Sequence, residues 1–195
     1  MEWYHYNIQE LTTEEYENWY ELMDAEKKAR VDRFRFAEDK KRTVVGDMLA
    51  RTAIAKWCQV PAQSIVFGKN NYGKPFAKDL AVEFNVSHSG DLVVCAVSNH
   101  PVGIDVEQIR PMRDSVAKRI CSQAELEYLS DVAVDEEVRL NRFYEIWTGK
   151  EAYCKCVGTG IQEFAVLREM NVLEMERTTT LLGDYMVSMI ESPTA

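Results

Sequence analysis

The chain has 195 residues, enough for one sizeable domain or for two small halves sharing a core. Its composition, 46% hydrophobic and 28% charged, is that of an ordinary globular protein, and a net charge of −9 argues against non-specific nucleic-acid binding. No apolar run approaches the roughly 20 residues of a membrane span. The start of the chain carries no secretory pattern, so the expectation is a cytoplasmic protein that binds neither nucleic acid nor membrane.

Residues 3–8 alternate loosely and predict an edge strand. Thr12-Thr13-Glu14-Glu15 has the spacing of a capping box and opens a helix to about Met23. A second helix is predicted over 25–34. A third runs from a cap near Asp39 to Trp57, with Val44, Met48, Ala53, Ile54 and Trp57 at helical spacing and Pro61 as the stop. Short strands follow at 65–67, 82–86, 92–98 and 102–107, separated by turn clusters at 70–75 and at Ser89-Gly90-Asp91. Helical patterning returns over 114–129 and 135–157, the latter closed by Gly158. The tail predicts strands at 164–168, 172–175 and 185–190. Gly90-Asp91-Leu92-Val93-Val94 is echoed by Gly183-Asp184-Tyr185-Met186-Val187, each downstream of a long helix. A unit used twice would place a site where the two halves meet.

Charge is unevenly spread. Residues 1–26 hold no Lys or Arg, whereas the stretch from Lys27 to Lys56 holds ten. A basic segment in an acidic chain fits a local anionic partner, or else a helix with a solvated basic face. The five cysteines, Cys58, Cys95, Cys121, Cys154 and Cys156, are odd in number and form no C-x-x-C pair, which points to core thiols in a reducing compartment.

The chemistry centres on Val102-Gly103-Ile104-Asp105-Val106-Glu107. On a strand, Asp105 and Glu107 project to one face while Ile104 and Val106 project to the other. Two carboxylates on a buried strand need a positive partner, and magnesium, a hard cation with oxygen ligands, would serve; a half-exposed strand with its polar face in water is the other possibility. Trp147, Glu151 and Lys155 lie at i, i+4 and i+8 of the long helix and share a face. If that helix is buried, Glu151 can join Asp105 and Glu107 around one ion, leaving positions for waters and phosphate oxygens, with Lys155 one turn along facing those phosphates as a point charge. His88, in Asn85-Val86-Ser87-His88-Ser89, can be a base, a phosphate donor or a turn cap. No G-x-G-x-x-G, Walker or nucleophile-elbow sequence is present.

Taken together and in order, Asn85–Ser89, Val102–Glu107 and Trp147-Thr148-Gly149-Lys150-Glu151-Ala152-Tyr153-Cys154-Lys155 closely resemble the 4′-phosphopantetheinyl transferases, in particular the larger surfactin-type subgroup. Arg42-Thr43-Val44-Val45-Gly46-Asp47 and Tyr72-Gly73-Lys74-Pro75 also resemble that subgroup, and the likeness spans about residues 25–161. The resemblance implies an α+β fold of two similar halves related by a pseudo-twofold axis, here 1–108 and 109–195, with the active site in the cleft between them. It implies transfer of phosphopantetheine from coenzyme A to a serine of an apo acyl or peptidyl carrier protein by a monomer, releasing adenosine 3′,5′-bisphosphate. A binding module for coenzyme A or the carrier that lacks catalysis is the alternative.

Carried over by position, the resemblance assigns Asp105, Glu107 and Glu151 to Mg2+, with manganese left open. Glu151 would take the serine proton, directly or through water, and Lys155 would stabilise the leaving phosphate. Lys27, Arg30, Arg42, Thr43 and His88 would hold the 3′-phosphate and adenosine end, and Lys74 and Ser87 would lie near the nucleotide and diphosphate. Glu125 resembles an acidic position close to the metal. Three departures stand out. Arg30 occupies a position that is often lysine, Gly149 interrupts a helix where it would permit close packing, and the stretch after Gly160 is short for the subgroup.

Overall fold

The computed structural model describes residues 1–71, 73–131, 135–158 and 164–192. In chain order the elements are β1 (Glu2–Asn7), α1 (Thr13–Leu22), α2 (Ala25–Arg33), α3 (Ala37–Cys58), β2 (Phe67–Lys69), β3 (Pro75–Ala77), β4 (Glu83–Ser89), β5 (Leu92–Ser98), β6 (Val102–Gln108), α4 (Asp114–Ile120), α5 (Gln123–Leu129), α6 (Glu136–Val157), α7 (Phe164–Glu169), β7 (Thr178–Leu182) and β8 (Tyr185–Glu191). Single 3-10 turns lie at Ala62–Ser64 and Val172–Glu174. The architecture is mixed helix and sheet, as the α+β expectation requires.

Two three-stranded antiparallel sheets have the orders β1-β5-β4 and β6-β8-β7, and β2 pairs with β3 in a separate ribbon. In each three-stranded sheet the last strand in sequence sits between the other two. A 22-residue helix, α3 or α6, lies in the connection between the first and second strands of each. The sequence echo falls on the two tight turns that join β4 to β5 and β7 to β8. Gly90 (φ +52°) and Gly183 (φ +60°) adopt there the left-handed backbone that a residue without Cβ enters without strain.

β5 is buried along its whole length, so both of its faces need a partner. Cys95 and Val97 point to α3, where they pack with Ala50, Ala53 and Ile54, joined by Phe84 of β4. Leu92, Val94 and Ala96 point to the second sheet, where they meet Val102, Ile104 and Val106 of β6 and Tyr185, Val187 and Met189 of β8. β6 therefore spends its apolar alternation on the inter-sheet core and turns Gly103, Asp105 and Glu107 the other way, towards α6. Thr148 on α6 and Ser188 on β8 share a buried hydrogen bond of 2.7 Å across that second layer.

Several elements differ from the sequence-based expectations. The helical stretch 114–129 is two helices, because Ser122 opens a new capping box with Glu125 and breaks the run. Residues 164–169 form a helix and 172–174 a 3-10 turn where strands were expected; short apolar runs do not distinguish the two. β7 and β3 were missed, the first because its Thr-rich run Thr178-Thr179-Thr180 lacks an apolar alternation. α3 begins at Ala37, and it ends at Gln59 in the left-handed conformation, before Pro61 is reached. The capping box at Thr12 and Glu15 forms as expected.

Candidate active site

The site is built on the line where β4 and β6 meet beneath α6. These two strands belong to different sheets, and side chains of β4 supply the hydrogen bonds that join them. The Asn85 side-chain oxygen accepts from the Ile104 backbone N–H at 3.0 Å. Ser87 Oγ donates to Asp105 Oδ1 at 2.8 Å and Ser89 Oγ to Glu107 Oε2 at 2.7 Å, while the Gln108 N–H donates to Ser89 Oγ at 3.1 Å. Asn85, Ser87 and Ser89 are spaced by two, so one face of β4 carries all three.

α6 lies close over β6 because Gly103 leaves room for it. A Cβ at that position would sit 1.9 Å from the Ala152 carbonyl oxygen and 2.5 Å from the Cys156 nitrogen. Gly149 plays a related part on another side of the helix, where a Cβ would meet Val172 Cγ2 at 2.8 Å. With α6 seated there, its Trp147–Glu151–Lys155 stripe runs along the acidic face of β6. Trp147 Nε1 donates a long bond of 3.5 Å to Glu107 Oε1. Lys155 Nζ donates to Asp105 Oδ1 at 2.6 Å and to Ser87 Oγ at 2.8 Å.

The electrostatics follow from that placement. Asp105 is 3% exposed, and among the described residues its Oδ2 has no hydrogen-bond partner. Burial raises its pKa, and Lys155 and Ser87 act in the opposite sense. Glu151 is pushed up to about 7, first by burial and then by the neighbouring Asp105 and Glu107 charges, with Lys155 opposing. This mutual influence places all three carboxylates in one electrostatic neighbourhood. Among the described residues no three acidic, His or Cys groups stand close enough to hold a metal as they are. Lys155 supplies the positive charge beside Asp105. The chemistry nevertheless suits a hard cation, since all the donors are carboxylate oxygens and one of them is buried and unpaired.

A cationic rim borders the carboxylates. Arg42 donates to the Gly90 carbonyl at 2.8 Å and to Asp39 at 2.6 Å, and the Thr43 hydroxyl donates to the Asp39 carbonyl at 2.9 Å. His88 reaches solvent at the surface; the protein packed around it, then Arg42, then Lys155, lower its pKa. Lys74 lies near the other end of the strands, with Nζ 3.5 Å from the carbonyls of Val102 and Cys156 and 3.8 Å from Glu83. The structure thus gathers Arg42, Ser87, His88, Asp105, Glu107, Glu151 and Lys155.

It places Lys27 against Asp47, which also pairs with Arg51 at 2.7 Å, and over the Phe67 ring at 3.8 Å from the centroid. Arg30 is exposed and lies 5.8 Å from the Phe34 ring. Tyr72 lies outside the described residues. Glu125 is fully buried and pairs with Lys150 at 2.6 Å. The roles of Ser89 and Asn85 were missed, although the alternation of small polar residues on β4 is the signal that would have revealed them.

The family model for 4′-phosphopantetheinyl transferase, N-terminal, matches residues 10–100, and that for the 4′-phosphopantetheinyl transferase superfamily matches residues 101–187. The chain is 38% identical over 152 residues to 4′-phosphopantetheinyl transferase Sfp of Bacillus subtilis (strain 168), covering 77% of this chain and 67% of that protein. It is 39% identical to 4′-phosphopantetheinyl transferase gsp of Aneurinibacillus migulanus, covering 70% of this chain and 56% of the relative. A further 4′-phosphopantetheinyl transferase of Bacillus subtilis is 41% identical, covering 71% of this chain and 62% of the relative. The chain belongs to the 4′-phosphopantetheinyl transferase family. Its matched region spans about 56–67% of the length of these three relatives.

Proposed function

We propose that the chain transfers the 4′-phosphopantetheine arm of coenzyme A to a serine of an apo acyl or peptidyl carrier protein. A bond forms between the serine oxygen and the β-phosphorus of coenzyme A, the bond from that phosphorus to the bridging oxygen breaks, and adenosine 3′,5′-bisphosphate leaves. The observation that carries this proposal is the seating of Glu151 and Lys155 on one stripe of α6 directly against Asp105 and Glu107 of β6.

Asp105, through its unpaired Oδ2, would hold magnesium together with Glu107 and Glu151. When bound, the ion would spread the negative charge of the diphosphate over its oxygens. Glu151 accepts the serine proton, directly or through a water, and the water-mediated route is favoured because coordination lowers carboxylate basicity. Lys155 leaves Asp105 to meet the leaving phosphate as a compact point charge. Arg42, Thr43 and His88, joined by Lys27 and Arg30, hold the 3′-phosphate and adenosine end. Lys74 and Ser87 lie along the path of the nucleotide and diphosphate. The matching strand orders of the two sheets support a chain of two similar halves related by an approximate twofold, with β6 (Val102–Gln108) opening the second half, so that the boundary falls before Val102 rather than between 108 and 109. On this reading the chain acts as a monomer in the cytoplasm.

The test is intact-mass measurement of a panel of apo carrier proteins after incubation with coenzyme A, magnesium and this chain. The expected result is a gain equal to the phosphopantetheine arm on the carrier serine. Tight coenzyme A binding without transfer to any carrier would overturn catalysis in favour of a binding module.

A further inference from the structure

We infer that Lys150, paired with Glu125, is a positioning residue that fixes the rotation of α6 about its own axis and so aims Glu151 and Lys155 at β6. Both side chains are fully buried, at 0% exposure each, and their charged groups are 2.6 Å apart. Lys150 Nζ also donates to the carbonyls of Ile120 at 2.9 Å, Leu167 at 2.5 Å and Met170 at 2.9 Å. Glu125 in turn accepts from the backbone N–H groups of Ser122 at 2.7 Å and Val172 at 2.9 Å. The end of α4, the end of α7 and Glu125 of α5 therefore converge on one atom of α6, and Glu125 carries the connection on to the start of α5 and the 172–174 turn.

An ion pair is a costly way to fill such a spot. Taking two charges out of water usually cancels their attraction, so a buried pair is weak evidence for stability. Leucine or methionine packing would hold these helices together without that cost. What apolar packing does not supply is direction, because burial is indifferent to angle. An ammonium surrounded by a carboxylate and three carbonyls tolerates one orientation. At 3.6 residues per turn, Lys150 lies about 100° around α6 from Glu151. A tether on that flank opposes turning of the helix, which is the motion that would swing Glu151 and Lys155 away from Asp105. Gly103 fixes how near α6 approaches β6, and Lys150 fixes which face it presents. This inference rests on the proposed transferase activity, since it assigns a role within that site.

The test compares the wild-type chain with Glu125→Leu/Lys150→Met, which replaces the pair by apolar groups of similar volume, and with Glu125→Gln, which keeps the shape and removes the charge. Thermal unfolding, hydrogen exchange of the α6 amides, and kcat and KM for coenzyme A are measured together. The double variant should unfold near the wild-type temperature. Its kcat should fall about a hundredfold, as expected when reacting groups are misplaced by about 1 Å, with KM for coenzyme A within about twofold. Glu125→Gln should show a smaller loss of kcat alone. Faster exchange over residues 151–157 should accompany both losses.

A folded double variant with wild-type kcat would overturn the inference. If the double variant fails to fold, an unchanged kcat in Glu125→Gln overturns it. If neither variant folds, the pair is a determinant of the fold rather than of aim, and the inference also falls. A wild-type chain that transfers nothing to any carrier defeats the proposed function instead, and the exchange pattern of residues 151–157 then still tests the tether.

Discussion

Gly103→Ala is the sharpest perturbation of the site that leaves every chemical group in place. The added Cβ would lie 1.9 Å from the Ala152 carbonyl oxygen, 2.5 Å from the Cys156 nitrogen and 3.0 Å from the Ala152 carbonyl carbon, all backbone atoms of α6. No rotamer change relieves contacts with backbone, so the helix must move. Ordinary contact begins near 3.4 Å, which asks α6 to retreat by about 1.5 Å. That retreat would break the 2.6 Å contact of Lys155 with Asp105 and draw Glu151 away from β6. Overpacking of this kind costs ~3 kcal/mol, the upper end of the usual range, equivalent to a fall in Tm of roughly 6–12 °C for a chain of this size. Misplacement by about 1 Å can cost a hundredfold in rate. Calorimetry and a carrier-loading assay on the same preparation measure both quantities. A Tm within about 2 °C of wild type together with full activity would refute the close seating of α6 on β6.

Gly46→Ala is the contrasting case: its Cβ would meet Val86 at an ordinary 3.4 Å inside α3, so melting experiments should show stabilisation of about 0.5–1 kcal/mol. Glu151 tests the electrostatics of the metal-free protein. Its pKa is raised from 4.5 to about 7, so the unfolded chain ionises first and Glu151 ionisation costs stability as pH rises through that window, in full above it. Glu151→Gln should therefore gain stability over wild type between about pH 5 and about pH 8, by ~1–2 kcal/mol after allowing for partial exposure; a difference that does not vary with pH would contradict the crowding of the three carboxylates. The thiols of Cys95 and Cys121, pushed up to about 12 chiefly by burial, should resist alkylation until the chain is unfolded, as peptide mapping would reveal.

Much of the site is legible in the sequence because strand periodicity is strict. Asp105 and Glu107 had to share a face once Ile104 and Val106 were assigned to the core, and the structure places Ile104 and Val106 between the sheets. The spacing of Trp147, Glu151 and Lys155 was equally binding on a helix. What local pattern did not carry was the partnership of charges. Glu125 was expected near the metal, yet it pairs with Lys150, and that pairing spans 25 positions. Lys27 is likewise drawn to Asp47 on the neighbouring helix. The alternation of Asn85, Ser87 and Ser89 signals a polar face on β4, but the strand that face is stitched to is set only once two separate sheets abut. In the tail, the helix at 164–169 and the strand β7 were misassigned for want of a periodic apolar signal long enough to separate the alternatives.

Asp105, Glu107 and Glu151 are proposed to act as one oxygen site with Lys155 as its mobile cation. A crystal structure of the chain with coenzyme A and magnesium measures this most directly. The predicted result is one ion within about 2.0–2.1 Å of carboxylate oxygens from all three residues, with Lys155 shifted from Asp105 to a phosphate oxygen. An ion bound elsewhere, or Lys155 still on Asp105 with coenzyme A in place, would contradict the claim.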